Sequence, residues 1–268
     1  MVSAPALRRL ARSLSPGGRG CGAGTLPLVP ATITMHGLAP SHPCMTVEAA
    51  LRHKGLDYDR IDLQSPAHID QMQEIYGEGR YTVPGAVIEG DPVHGSRAIL
   101  ARLEQLQPEP VLYPSEEVRE AERWGDEELQ HLGRRLTWGA LHFRPEALGT
   151  FAGAGPLDGP GTDFAIKYVR STWRYHGITA ADIHQDLAGL PAKVEHIEEL
   201  ASQGLLGGEQ PTAADLQIGA TIRVLLTVGD LVPLLSGTAG ERVALRYFPS
   251  YPGEVPKGAF PSGWAPTS

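Results

Sequence analysis

Apolar residues alternate with polar ones in short runs between residues 31 and 107, whereas beyond residue 114 they recur at helical spacing. The run at residues 31–36 is alternating and rich in β-branched side chains, which predicts a strand. The elements predicted after it are a helix, a strand, a second helix, a hairpin and a third helix, at residues 44–54, 56–63, 65–76, 81–94 and 96–106. This alternation of strands and helices predicts an α/β domain over residues 31–107.

Prolines mark residues 108–114 as a linker, and no convincing strand pattern follows it. Apolar residues at helical spacing predict helices at residues 115–139, 163–176, 179–203, 212–227 and 240–247, the third with a potential break at Pro191. Residues 145–161 are rich in glycine and proline and predict a long loop. Residues 248–268 form a proline-rich tail that is predicted to lie extended over the surface. An all-helical domain is thus predicted over residues 115–247.

Charge and composition narrow the function classes. The formal net charge of -8 argues against a nucleic-acid partner, because phosphates require a concentrated basic face. No apolar run approaches the roughly 20 residues that cross a bilayer, so no membrane partner is predicted. The two cysteines, Cys21 and Cys44, cannot form a disulfide framework, and no histidine pairs with them at metal-ligand spacing. A reducing, cytoplasmic setting without a metal is predicted.

The first 30 residues differ from the rest of the chain. They contain four arginines and no acidic residue, with many Ser, Gly and Pro residues from Ser13 to Gly24. The favoured interpretation is a disordered extension or a misassigned start, with Met35 close to the real beginning. An organellar targeting segment is the alternative, because such segments are rich in arginine and poor in acidic residues.

Ser41-His-Pro-Cys44 lies where the first predicted strand gives way to the first helix. Backbone amides and the positive end of the helix dipole favour an anion at such a junction. The Ser41 hydroxyl could donate a hydrogen bond to a thiol sulfur there and lower its pKa. Helix capping is the competing role for this serine. Ser41 is therefore a candidate catalytic residue.

Cys44 has two alternative roles. It lies where the predicted helix turns inward, which suits a small buried apolar residue. At a helix N-terminus its thiol could instead have a lowered pKa and carry redox chemistry. A C-x-x-C redox site uses its first cysteine as the nucleophile, and Ser41 holds that position here.

Two further motifs offer backbone groups to a ligand. Thr82-Val-Pro-Gly85 places a proline directly before a strand, which suggests a cis bond at Pro84 with the backbone of Val83 turned outward. Gly95-Ser96 precedes a helix and offers amides and a hydroxyl to a carboxylate. A trans proline and a simple N-cap are the respective alternatives.

The order of strand, S-x-x-C helix, strand, V-P-G, hairpin and G-S helix resembles the glutathione transferase superfamily. Residues 31–107 resemble its thioredoxin-like N-terminal domain, and residues 114–247 resemble its helical domain. Thr212-Ala-Ala-Asp215 is similar to the family's capping box, in which Thr212 and Asp215 cap one helix reciprocally. The resemblance implies a thioredoxin-like α/β domain followed by an all-α domain, glutathione or another low-molecular-weight thiol as co-substrate, and a homodimer.

The resemblance also implies roles for individual residues. Ser41 corresponds to the residue that contacts the thiol sulfur, Val83 to the residue whose backbone pairs with the cysteinyl group, and Pro84 to the cis proline. Ser96 corresponds to the hydroxyl residue that grips the γ-glutamyl carboxylate. Gly95 departs from the family pattern, which has Glu or Gln there, so a contact to the γ-glutamyl amine is lost. This departure favours weaker glutathione binding or a different thiol, with His94 as a candidate for compensation.

The electrophile site is expected between the two domains, and Trp138, His142 and Trp173 are candidates for its lining. Packing in the helical core is the alternative for each of them. The leading hypothesis is that Ser41 stabilises a thiolate, which attacks a small electrophile. Thiol–disulfide or reductive chemistry through Cys44 is one alternative. A catalytically silent binding or scaffold protein of the same fold is the other.

Overall fold

A four-stranded mixed sheet forms the first part of the structure, a computed structural model that describes residues 32–265. Its strands are β1 (Ile33–Gly37), β2 (Asp59–Asp62), β3 (Gly85–Ile88) and β4 (Asp91–His94), in the order β2-β1-β3-β4. Strand β1 is parallel to β2 and antiparallel to β3, and β3 is antiparallel to β4. The extension predicted at residues 1–30 lies outside the described residues.

Three helices cover this sheet. They are α1 (His42–Lys54), α2 (His68–Tyr76) and α3 (Ser96–Leu106). Helices α1 and α3 pack together and bury Leu51 and Leu103 with Met35 and Ile88 of the strands. Helix α2 forms a separate small cluster through Met72. The order βαβαββα confirms the predicted thioredoxin-like domain.

In the rest of the described chain the regular secondary structure is helical, apart from one isolated β-bridge. They are α4 (Glu116–Trp124), α5 (Gln130–Phe143), α6 (Ala147–Phe151), α7 (Gly159–His176), α8 (Ala180–Ser202), α9 (Ala213–Leu225), α10 (Val232–Leu235) and α11 (Ala239–Tyr247). Helix α9 is central, and nearly all of its residues are buried. A Cβ atom at Gly133 of α5 would lie 2.5 Å from the Thr221 Cγ2 atom, so this close approach to α9 requires glycine. The α/β domain followed by an all-α region confirms the predicted fold class.

The two parts share a packed interface. The Thr46 hydroxyl on α1 donates a hydrogen bond to the backbone oxygen of Leu216 on α9 at 3.3 Å. Buried Lys54 donates to the Glu104 carboxylate and to the backbone oxygens of Gln107 and Pro110, at 2.6 to 2.9 Å. These bonds from Lys54 tie the linker to the C-terminal end of α1.

Four predicted features differ from the structure. A π-helical turn, Gly125–Leu129, interrupts the helix predicted at residues 115–139. Helix α6 lies within the predicted loop at residues 145–161, and α8 continues through Pro191. The tail is not a surface segment throughout, because Val255, Ala259 and Phe260 are buried in the helical core. The apolar side chains among the tail's prolines therefore pack into the core, and the proline-rich composition alone does not predict this position.

No helix within residues 32–265 combines the length and the apolar character needed to cross a bilayer.

Candidate functional site

Ser41 occupies the N-cap position of α1, but its side chain makes no capping hydrogen bond. The residue has extended backbone angles, and Pro43 lies in the first helical turn. Ser41 lines a cleft of about 510 Å³ that lies between the sheet domain and helices α5, α6 and α7. The structure therefore does not support the competing capping role and places the Ser41 side chain at the cleft wall, beside the Cys44 thiol.

Cys44 lies one turn further into α1 and is only 1% exposed. Burial raises the pKa of the Cys44 thiol, and the neighbouring Ser41 side chain only partly offsets this effect. Burial thus opposes formation of a thiolate at Cys44. The geometry favours the small buried apolar role over redox chemistry.

The loop before β3 and the turn before α3 meet at one edge of the sheet. The peptide bond between Val83 and Pro84 is cis. The register pairs Gly85 with His94, which brings Pro84 beside Gly95, and the Gly95 amide donates to the Pro84 backbone oxygen at 3.0 Å. Gly95 has φ +92°, a conformation that L-residues rarely adopt, and buried Ser96 begins α3.

His94 does not occupy the position that a side chain at residue 95 would fill. Its Nε2 atom lies 2.8 Å from the backbone oxygen of Thr82, in hydrogen-bonding contact. Burial lowers the pKa of His94. The imidazole therefore holds the loop that carries Val83 in place.

A cleft of about 400 Å³ faces this loop and turn, and we call it the thiol cleft. Its sheet-domain wall includes the four residues that were predicted to bind a thiol, Val83, Pro84, Gly95 and Ser96. Its opposite wall comes from the π-helical turn and helices α5 and α7. The residues of that wall are Asp126, Gln130, His131, Arg134, Tyr175 and His176.

Asp126 is the acidic group of this wall. Its Oδ1 atom accepts hydrogen bonds from Gln130 at 2.5 Å and Gln217 at 3.3 Å, and lies 3.5 Å from the Ser96 hydroxyl. Burial raises the pKa of Asp126, and the nearby Arg97 opposes the increase. The helical domain therefore places a carboxylate beside Ser96 in the thiol cleft.

The larger cleft, which contains Ser41, adjoins the thiol cleft. The two clefts share Thr82, Val83, Arg134, Tyr175 and His176. The Tyr175 hydroxyl donates to the backbone oxygen of Tyr81 at 3.3 Å, which links α7 to the loop before β3. A ligand that extends from Ser96 past Val83 to Ser41 would thus lie along one continuous surface.

Trp138 lines the larger cleft together with the apolar residues Leu148, Phe164 and Val224. The predicted participation of His142 and Trp173 is not found, because neither residue lines this cleft. The Trp173 indole is buried in the helical core and donates to the Trp138 backbone oxygen at 3.0 Å, and the His142 ring stacks on it with centroids 3.8 Å apart. Helical spacing in the sequence does not tell which of Trp138, His142 and Trp173 lines the cleft and which packs in the core.

Thr212 and Asp215 lie outside both clefts and cap α9. The Thr212 hydroxyl accepts a hydrogen bond from the Asp215 amide at 3.3 Å, and the Asp215 carboxylate accepts from the Thr212 amide at 2.9 Å. Asp215 also accepts a hydrogen bond from the Gly207 amide at 2.7 Å. The pair therefore anchors the preceding loop as well as the helix.

Asp126, Arg134 and Tyr175 line the clefts but are not predicted from the sequence. The π-helical turn at Gly125–Leu129 adds residues to one turn, so a period of 3.6 residues does not predict which side chains of α5 face the cleft. Among residues 32–265, no group of three or more His, Cys, Asp or Glu side chains is arranged to hold a metal ion.

Comparisons with known proteins agree with this geometry. Residues 35–111 match the family described as glutathione S-transferase, N-terminal domain. A search of curated proteins found no match.

Solved structures of the same fold cover most of the chain. FzlA from C. crescentus is 18% identical with a TM-score of 0.53, covering 88% of this chain and 96% of that one. The β-etherase LigF from Sphingobium sp. strain SYK-6 is 19% identical with a TM-score of 0.52, covering 81% and 90%. A glutathione S-transferase from Methylobacterium radiotolerans, in complex with glutathione sulfonate, is 18% identical with a TM-score of 0.51, covering 84% and 95%.

A thioredoxin-like domain followed by an all-helical region is the fold of glutathione-transferase-like proteins. Residues 35–111 match the N-terminal domain of glutathione S-transferases, and the fold of the described residues resembles that of the glutathione transferase superfamily.

Proposed function

We propose that this protein is a thiol transferase, which activates glutathione or a related low-molecular-weight thiol for attack on a small electrophile. The observation that carries the proposal is the Ser41 hydroxyl, which is not used as a helix cap and lines the larger cleft beside Val83. The thiol would extend from Ser96 in the thiol cleft, past the Val83 backbone, to place its sulfur near Ser41.

The proposed binding of the thiol uses complementary groups at both cleft walls. The Ser96 hydroxyl and the first amides of α3 suit the γ-glutamyl carboxylate. The Asp126 carboxylate, on the helical wall, suits the γ-glutamyl amine, which has no side-chain partner at residue 95. The relative from Methylobacterium radiotolerans, which binds glutathione sulfonate, supports this choice of ligand class.

In the proposed reaction the thiol loses its proton to solvent, and the Ser41 hydroxyl donates a hydrogen bond to the resulting thiolate. The sulfur then attacks the electrophilic carbon, a carbon–sulfur bond forms, and the bond to the leaving group breaks with its electron pair. Burial lowers the pKa of His42 to about 3 and that of His176 to about 4. Neither imidazole is therefore suited to retain the proton at neutral pH.

Ser41→Ala and Cys44→Ser separate this mechanism from redox chemistry. A hydrogen bond to a charged group contributes about 1.5–3 kcal/mol, so Ser41→Ala should lower kcat/KM with glutathione and 1-chloro-2,4-dinitrobenzene roughly 10- to 150-fold. It should also move the pH profile of kcat/KM upward by one to two pH units, on the order of the same energy. Cys44→Ser should retain activity. Activity that depends on Cys44 and not on Ser41 would support the redox alternative instead.

Calorimetry distinguishes the transferase from a silent protein of the same fold. Glutathione and γ-glutamylcysteine should bind, whereas N-acetylcysteine, which lacks the γ-glutamyl group, should bind more weakly. If none of these thiols binds, the proposed function is wrong and the scaffold interpretation is left.

A further inference from the structure

Arg134 and Arg135 are neighbours on α5, yet their environments differ. The Arg135 guanidinium forms a bidentate ion pair with Asp186, at 2.6 and 2.7 Å. For Arg134, no carboxylate within residues 32–265 lies within 4.0 Å of the guanidinium. Its one hydrogen-bonding contact there is between Nη1 and the Nδ1 atom of His131, at 3.4 Å. Among the described residues, Arg134 is thus a partly buried cation without an ion-pair partner.

Neutral imidazoles surround this cation. Burial lowers the pKa values of His42, His131 and His176, and the charge of Arg134 lowers each of them further. Asp126 is an acidic group near enough to attract the guanidinium, but it lies beyond ion-pair distance and is hydrogen-bonded to Gln130. The positive charge in this cluster therefore belongs to Arg134.

Arg134 lies where the two clefts join, since it lines both of them. Three buried polar atoms of the larger cleft have no hydrogen-bond partner among residues 32–265, namely His42 Nε2, His68 Nδ1 and the Tyr251 hydroxyl oxygen. Burying a charge without an ion-pair partner and unpaired polar atoms is unfavourable, and a bound ligand is one way to complete their interactions. A planar guanidinium matches the two oxygens of a carboxylate in particular.

We propose that Arg134 is the binding residue for a substrate carboxylate at the junction of the clefts. This inference rests on the proposed function for the identity of its substrates. The carboxylate belongs either to the electrophile, which then has an apolar body and an acidic group, or to the glycyl end of the thiol. The apolar surface around Trp138 accommodates the body of such an electrophile.

Binding measurements test this proposal without requiring turnover. The probes are 4-phenylbutyrate and its neutral counterpart 4-phenylbutyramide, together with glutathione and its glycyl monoethyl ester. Each is titrated by calorimetry into the wild-type chain, Arg134→Gln, Arg134→Lys and the control Arg174→Gln. Arg174 is exposed, lines neither cleft and gives the same change in net charge.

If Arg134 donates a charge-assisted hydrogen bond to the carboxylate, Arg134→Gln should weaken binding of the carboxylate probe about 10- to 100-fold. The amide probe and the control variant should be unaffected, and Arg134→Lys should restore part of the affinity. Weaker binding of 4-phenylbutyrate by Arg134→Gln would assign the carboxylate to the electrophile. Loss for glutathione but not for its monoester assigns it to the thiol. Equal binding of every carboxylate probe by wild type and Arg134→Gln, or no binding of any of them, would overturn the proposal.

Thermal unfolding tests whether Arg134→Gln loses affinity because it is misfolded. Removing an uncompensated charge should leave the Tm of Arg134→Gln equal to or above that of the wild type, whereas a structural arginine would lower it. A lower Tm would count against the proposal. If glutathione does not bind the wild type but phenylbutyrate binds through Arg134, the proposed function fails while this inference stands.

Discussion

A Gly95→Gln substitution separates backbone strain from ligand contact at the thiol cleft. Gly95 has φ +92° and ψ 143°, and a Cβ atom built there meets no atom of another element of residues 32–265 within 4 Å. A glutamine side chain therefore has room, but its backbone is held in a region that costs about 1–3 kcal/mol for a residue other than glycine. For a domain of this size, each kcal/mol lowers Tm by roughly 2–4 °C. We expect a Tm decrease of about 2–12 °C.

Affinity should change in the opposite direction. The backbone strain is present with and without ligand, so it cancels in the dissociation constant. The new amide oxygen can accept a hydrogen bond from the γ-glutamyl ammonium group, worth about 1.5 kcal/mol. We therefore expect glutathione to bind Gly95→Gln about tenfold more tightly than the wild type. Calorimetry gives the affinity, and thermal unfolding without ligand gives the stability.

Gly90→Gln is the matched control for this experiment. Gly90 lies in the turn between β3 and β4, has φ +87° and is equally open, but does not line the thiol cleft. It should lose stability to a similar extent without any change in glutathione affinity. Unchanged or weaker glutathione binding by Gly95→Gln would refute the reasoning that the cleft lacks a contact at residue 95.

Two further substitutions test the energetics of the fold. Burial raises the pKa of Glu122 from 4.5 to about 7, so its stabilising protonated form is fully present below pH 4.5 and is lost as the pH rises through 7. In urea unfolding from pH 5 to pH 8, the wild type should therefore lose up to about 3 kcal/mol more stability than Glu122→Gln, and parallel pH profiles would contradict this. Asp215→Asn leaves the amides of Gly207 and Thr212 with poorer acceptors. It should lower the free energy of unfolding, measured in urea, by about 2–4 kcal/mol. The same change at Asp182, a capping residue nearer to solvent, should cost less than about 1 kcal/mol, and equal losses would show that burial is not the cause.

The sheet domain could be predicted from the sequence because its signals are local. The stop of α1 at Gly55 and the hairpin turn at Gly90 each depend on a few neighbouring residues. The loop containing Val83 and the turn containing Ser96 are brought together by the register of that hairpin, so their proximity follows from the same local pattern.

The helical wall of the clefts could not be predicted in the same way. Its residues face the cleft only because the π-helical turn changes the orientation of α5 and because Gly133 allows α9 to pack closely against that helix. The aromatic residues illustrate the limit, since Trp138 lines the cleft while Trp173 is buried behind it. Long-range packing decides these positions, and a single sequence contains no periodic signal for it.

The charges on this wall connect the two proposals. Asp126 lies beside Ser96, and Arg134 is eight residues further along the chain, where the clefts join. A thiol with an amine at one end and a carboxylate at the other would fit these charges in one direction, with its amine at Asp126. In the reverse direction its terminal carboxylate would face the Asp126 carboxylate and its amine would face Arg134, and both contacts would be repulsive. The helical wall would therefore determine the orientation of the thiol, and that orientation directs the sulfur toward Ser41.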